Sequence, residues 1–167
     1  MPVISDSKRL LETIAKQEEL IRFTKFDNDI ALELGLFIVD YAKKQGKSVS
    51  LCITVNGWQI FKYAMTGITR PDNEGWLYRK HNTVTRFRTS SLATATSMKA
   101  KGATLATRAL DPAEYIFAGG GFPLHVVNAG VIGSLCASGL KDFEDHQLLV
   151  DACAAYLQLQ DVPSVEE

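Results

Sequence analysis

The sequence predicts an α+β protein, a three-layer α/β/α sandwich around one mainly antiparallel sheet. Three observations lead there. Apolar periodicities run helix, helix, hairpin, long helix, hairpin, helix along the 167 residues. Both strand pairs are joined by short turns, and a hairpin pairs its strands antiparallel. The strands are apolar on both faces, so helices must cover each side of the sheet. A chain of this length suits one domain, placed at residues 1–160, with residues 161–167 expected to form a flexible tail.

The first helix is expected from Asp6 to Ile21, capped by Ser5, Asp6 or Ser7, with Leu10, Leu11, Ile14 and Leu20 at helical spacing. "FDND" from Phe26 breaks it and caps a second helix that reaches Gln45. Its stripe is Ile30, Ala31, Leu34, Phe37, Ile38 and Tyr41. Lys43 and Lys44 suit the negative end of the dipole, and Gly46 ends the helix. In "SVSLCITVNGWQIFKYAM", Asn56-Gly57 supplies a type I′ turn between two strands. Val49, Leu51, Ile53 and Val55 share one face of the first strand; Ser50, Cys52 and Thr54 share the other. A long helix is expected from Asn73 to Lys101, ended by Gly102, then a short one from Thr104 to Leu110 and a turn at Pro112. After Gly119-Gly120-Gly121, "FPLHVV" and "VIGSLCAS" read as a second hairpin, and "DFEDHQLLVDACAAYLQL" as the closing helix.

Net charge is −1, which gives no global attraction to nucleic acid or to an anionic membrane. No apolar run approaches membrane-spanning length, and acidic residues interrupt the N-terminal segment before any leader-type apolar core forms. Cys52, Cys136 and Cys153 are odd in number and lie in apolar surroundings, so free thiols in a reducing cytoplasm are expected.

Against this neutral background, "GWLYRKHNTVTRFRTSS" from Gly75 to Ser91 carries Arg79, Lys80, His81, Arg86 and Arg88 and no acid. On a helical wheel Trp76, Thr83, Phe87 and Thr94 fall on the sheet-facing side, flanked by Lys80, Ser90, Ser91 and Met98. Arg79, Asn82 and Arg86 form one flank, and His81, Arg88 and Lys99 the other. Arg79, Lys80 and His81 fall in the first turns, where the helix dipole prefers anions, and the Thr/Ser content is unfavourable to a helix. Something outside the segment must compensate. It could be carboxylates such as Asp27, Asp29 or Glu33, a neighbouring subunit, or an anionic small molecule. In the last case Arg79, Lys80 and Arg86 would pair with the anion, and Asn82, Ser90 and Ser91 would orient it. His146, at a helix start after Glu144 and Asp145, would be a reserve group for ligation or proton transfer.

Several familiar chemistries are missing. "QGKSVS" ends like a phosphate-binding loop, but Tyr41 stands where the first glycine is needed and the motif precedes a strand. "CASGL" lacks the first glycine of a nucleophile elbow. No acidic or histidine set has metal-ligand spacing, so no metal site is expected, and no nucleophile and base stand at a recognisable spacing. Catalysis stays open.

The stretch from Trp76 resembles a small cytoplasmic family related to the GlcG-like, haem-degrading-domain proteins. "FDNDIALELG", "GITRPDN", "LDPAEYIFAGGGFPL" and "GVIGSLCASGL" followed by Asp145-His146 agree in order, and the resemblance covers Leu11 to Leu157. It implies a profilin-like fold with about five strands, the fifth at Tyr115–Ala118 or on the Gly119–Pro123 approach. It also implies a homo-oligomer and haem as a possible ligand. The chain has no Cys-x-x-Cys-His attachment motif, which leaves His81, His125 and His146 as single potential axial groups. A ligand-free assembly module is the alternative, with the same basic residues in subunit contacts or internal ion pairs.

Overall fold

The computed structural model describes residues 2–166. These form α1 (Pro2–Leu20), α2 (Asn28–Lys44), β1 (Ser50–Val55), β2 (Trp58–Ala64), α3 (Asn73–Phe87), α4 (Ser91–Ala100), β3 (Gly121–Val126), β4 (Gly130–Ser138) and α5 (Asp142–Tyr156). The sheet is antiparallel in the order β2-β1-β4-β3. Helices α2 and α5 pack on one face and α3 on the other, with α1 packed on α4. The α/β/α sandwich is therefore as the sequence predicts.

Local chemistry places these elements. Asp27 accepts the Ile30 N–H at 2.9 Å and starts α2. Asn56 and Gly57 both take positive φ, as a type I′ turn requires. The main core lies between the sheet and the α2/α5 layer. Leu51, Ile53, Leu135, Ala137, Phe122 and Leu124 meet Ala31, Leu34 and Ile38 of α2 and Leu148, Leu149 and Ala152 of α5 there.

The opposite face is different in kind. Cross-strand partners on β1 and β4 are Ser50 with Ser138, Cys52 with Cys136 and Thr54 with Ser134. All six are buried, so a ladder of small polar and thiol side chains lies in the layer that α3 covers.

Three expectations are corrected. The long helix is two helices: Arg88 turns left-handed at φ +58°, and the Ser90 hydroxyl accepts the Ala93 N–H at 3.1 Å to start α4. The Thr/Ser run thus supplies a cap where continuous helix was expected. Residues 104–110 form turns, in which Thr104 and Thr107 each accept the other's backbone N–H through their hydroxyls. Four strands stand in place of about five. The segment before β3 gives its backbone to α3, since Ile116 exchanges hydrogen bonds with the Thr83 hydroxyl at 2.8 and 3.2 Å. Near the C-terminus Val165 is buried beside Ile14, and its N–H donates to Gln147.

Candidate functional site

Lys80 is the most committed of the basic residues. It is 2% exposed, and its ammonium donates to Asp145 Oδ2 at 3.0 Å and to the Ala137 carbonyl at 2.8 Å. Asp145 Oδ1 accepts the Leu140 N–H at 3.0 Å. Burial pushes the Asp145 carboxyl up to about 6 against the pull of Lys80. The glycine run makes room for this pair. A Cβ on Gly120, whose φ is +115°, would stand 2.6 Å from Lys80 Nζ and 2.9 Å from Asp145 Cβ. Asp145 of α5, and none of Asp27, Asp29 or Glu33, is the carboxylate that compensates Lys80. Asp27 is spent on capping α2.

The other expected site residues scatter. Arg79 lies over the Trp76 ring at 4.9 Å and donates to the Gly75 carbonyl, while Arg86 lies over the Tyr115 ring at 5.6 Å. Asn82 donates to the Glu114 carbonyl at 2.8 Å. Ser90 caps α4, and the buried Ser91 hydroxyl accepts the Gly121 N–H at 2.8 Å. His146 is fully buried; its Nε2 bonds Gln17 Oε1 at 2.7 Å, and Gln17 in turn donates to the Pro163 carbonyl. Burial holds the His146 ring down at about 3, so it is neutral and clasps α5, α1 and the C-terminal segment together.

His81 is placed otherwise. It lines an open cleft of about 550 Å³ with Cys52, Thr54, Gln59, Glu74, Leu77, Tyr78 and Asn82. Its Nδ1 bonds the Ser134 hydroxyl at 2.6 Å, and its Nε2 has no partner among the described residues. Burial lowers the pKa of the ring, so the neutral form dominates near neutral pH. The Ser134 hydroxyl also lies 3.4 Å from Cys136 Sγ, while Cys52 Sγ accepts from Gln59 Nε2 at 2.9 Å. Lys62 and Glu74 pair at the rim, and Tyr78 donates to Glu114 at 2.5 Å. His125 differs: it is half-buried on β3 outside the cleft, and desolvation, followed by the charges of Arg22 and Arg88, lowers its pKa. Of the three histidines, His81 thus combines a fixed ring with an unpartnered nitrogen in a cleft. Ser134 and Gln59 are not singled out from the sequence, and Cys52 is read there only as a free thiol on a strand face. The signal was there in the matched alternation of "SLCIT" and "GSLCAS", which puts small polar residues on one face of two strands.

Residues 26–154 match the family model described as "Haem degrading protein HbpS-like". A UPF0303 protein of Paraburkholderia phytofirmans is 43% identical over 148 residues, 88% of this chain and 89% of that protein. One from Edwardsiella ictaluri is 38% identical over 152 residues, 90% of this chain and 96% of that protein. Among solved structures, the Ybr137w protein aligns with a TM-score of 0.82 at 28% identity, over 89% of this chain and 88% of that one. The haem complex of PduOC aligns with a TM-score of 0.62 at 21% identity, over 80% of this chain and 94% of that one, and so speaks to the fold alone. With most of its length matched by the model and by these relatives, the chain belongs to the HbpS-like family and resembles its UPF0303 members.

Proposed function

We propose that this protein is a cytosolic homo-oligomer that binds an anionic, haem-type small molecule in the cleft beside α3. The observation that carries the reading is His81: a neutral imidazole, fixed through Nδ1 by Ser134, with Nε2 unpartnered in a cleft of about 550 Å³. That size is ordinary for a small-molecule site. The residues present fit a haem-type group. His81 would offer the nitrogen donor, Leu77 and Tyr78 would cover apolar surface, and Asn82 would meet a carboxylate at the rim. When bound, such a group would supply redox chemistry at its iron. The chain's own part is to hold the imidazole in one tautomer and to shield the site with the buried polar ladder. Lys80 and Ser91 support this from below by tying α3 to α5 and α4 to β3, Ser90 caps α4, and His146 holds α5 to α1. The family description supports the ligand class.

A specific observation favours the oligomer. Trp58 and Tyr63 of the edge strand β2, and Leu32 and Leu36 of α2, are each about half exposed or more. Trp58 and Tyr63 stand opposite Val55 and Leu51, on the side of the sheet that faces α2. One apolar strip beside an unpaired strand edge is what a symmetric contact between copies would cover. The cytosolic reading rests on the three free thiols. Among the described residues, no helix is long and apolar enough to cross a membrane.

Native mass spectrometry of the protein mixed with haemin tests both parts. The expected result is an oligomer with one added haemin per chain, and a His81→Ala variant of the same oligomeric mass without it. Equal loading of both variants would remove His81 from the site, and a monomer would reject the assembly.

A further inference from the structure

A second depression shares no lining residue with the His81 cleft. It is a groove of about 440 Å³ between α1 and α4, lined also by Phe87. Helix α1 contributes Leu11, Ala15 and Glu18, one face at spacings of three and four; α4 contributes Ala93, Thr94, Ser97 and Met98 in the same manner, and Lys101 follows at its C-cap. The two helices pack through Ile14, Leu92 and Ala93. The small side chains of Ala15 and Ala93 leave the valley beside that contact unfilled.

The charges of the groove are separated. Lys101 and Arg108 line it and make no ion pair among the described residues. Arg108 is held on a turn in which its N–H donates to the Thr104 carbonyl at 3.1 Å and Thr104 and Thr107 cap each other. Glu18 is the carboxylate that lines the groove, and it is already engaged. It accepts the Thr89 hydroxyl at 2.8 and 2.9 Å and the Ser90 N–H at 3.1 Å. Its oxygens are taken by Thr89 and Ser90, and it makes no ion pair with Lys101 or Arg108 among the described residues. Apolar lining beside two cations that make no ion pair is complementary to a molecule with an apolar chain and one anionic head.

We propose that the α1/α4 groove binds a single-chain amphipathic carboxylate, with the carboxylate at Lys101 and Arg108 and the chain over Leu11, Ala15, Phe87 and Met98. This site is separate from the His81 cleft, shares no lining residue with it and does not depend on it.

The test is calorimetric titration of the full chain with decanoate below its micelle-forming concentration, with decanol and acetate as controls. Decanoate is expected to bind one per chain. Decanol should be weaker by about tenfold or more, the worth of one charge-assisted hydrogen bond, and acetate should not bind. The double variant Lys101→Ala/Arg108→Ala should bring decanoate down to the level of decanol. Ala15→Trp, at an exposed position, should fill the groove and abolish binding of both without disturbing the core. Haemin loading should be unchanged in all these variants. Absence of decanoate binding to the folded parent, or binding that survives Ala15→Trp or the double substitution, would overturn the proposal.

Discussion

A single buried cation organises the region that the sequence marks as unusual. Removing one partner of a buried, hydrogen-bonded ion pair leaves the other uncompensated, at about 3–5 kcal/mol. Lys80→Met should therefore destabilise the protein by about that much in urea, because Asp145 keeps its burial and loses its counter-charge. Lys80→Met/Asp145→Leu should recover most of the loss, and a double variant no better than the single one would contradict the pairing argument. His146 sets a pH dependence of definite sign. Its folded pKa is about 3 against an ordinary 6.5, so between those values the unfolded chain binds a proton that the folded chain refuses. Stability should fall with decreasing pH across that window, by about 1.4 kcal/mol per pH unit at most for this group. Asp145 and Glu18, both raised by burial, act in the opposite direction as they protonate. The comparison that isolates the histidine is parent against His146→Gln in denaturant series from pH 7 to about pH 4. The parent should lose more stability on acidification; parallel curves would mean that the imidazole is not held neutral.

At the scale of elements, the turn between α3 and α4 is the instructive one. Ser90→Ala should cost about 1 kcal/mol through loss of the α4 cap, measured by chemical denaturation, with little change in overall helicity. Hydrophobic periodicity made the six major elements legible, because apolar faces at a period of two or near four follow directly from what must be buried. The break at Arg88 was hidden for a local reason. The wheel through Thr94 and Met98 runs on in phase, while the stop is made by a left-handed arginine and by Glu18, a residue from another helix that accepts from Thr89 and Ser90. The fifth strand failed similarly, since Thr83 takes the hydrogen bonds that a strand at Ile116 would need. The basic stretch pointed to the correct helix, and Asn82 does line the cleft. The sequence could not show which cation turns inward. That depends on Asp145 lying about sixty-five positions along the chain, brought near by α5 and admitted by Gly120.

The whole molecule presents one face built for stability and one with room for chemistry. The α2/α5 side is a continuous apolar core, whereas the α3 side covers six small polar or thiol side chains and ends in the open cleft. The exposed apolar side chains Leu32, Leu36, Trp58 and Tyr63 are where the proposed assembly would form. Trp58→Glu should shift the species seen by size-exclusion chromatography with light scattering toward the monomer, and an unchanged mass would place the contact elsewhere. The central claim is that the cleft beside α3 holds a haem-type ligand through His81. Its most direct measurement is an equilibrium absorbance titration of haemin into the parent protein and into His81→Ala at matched folded concentration. The account predicts a saturable shift of the main haem absorption band in the parent, with affinity at least about tenfold weaker in the variant. Identical spectra and affinities for the two proteins would contradict it.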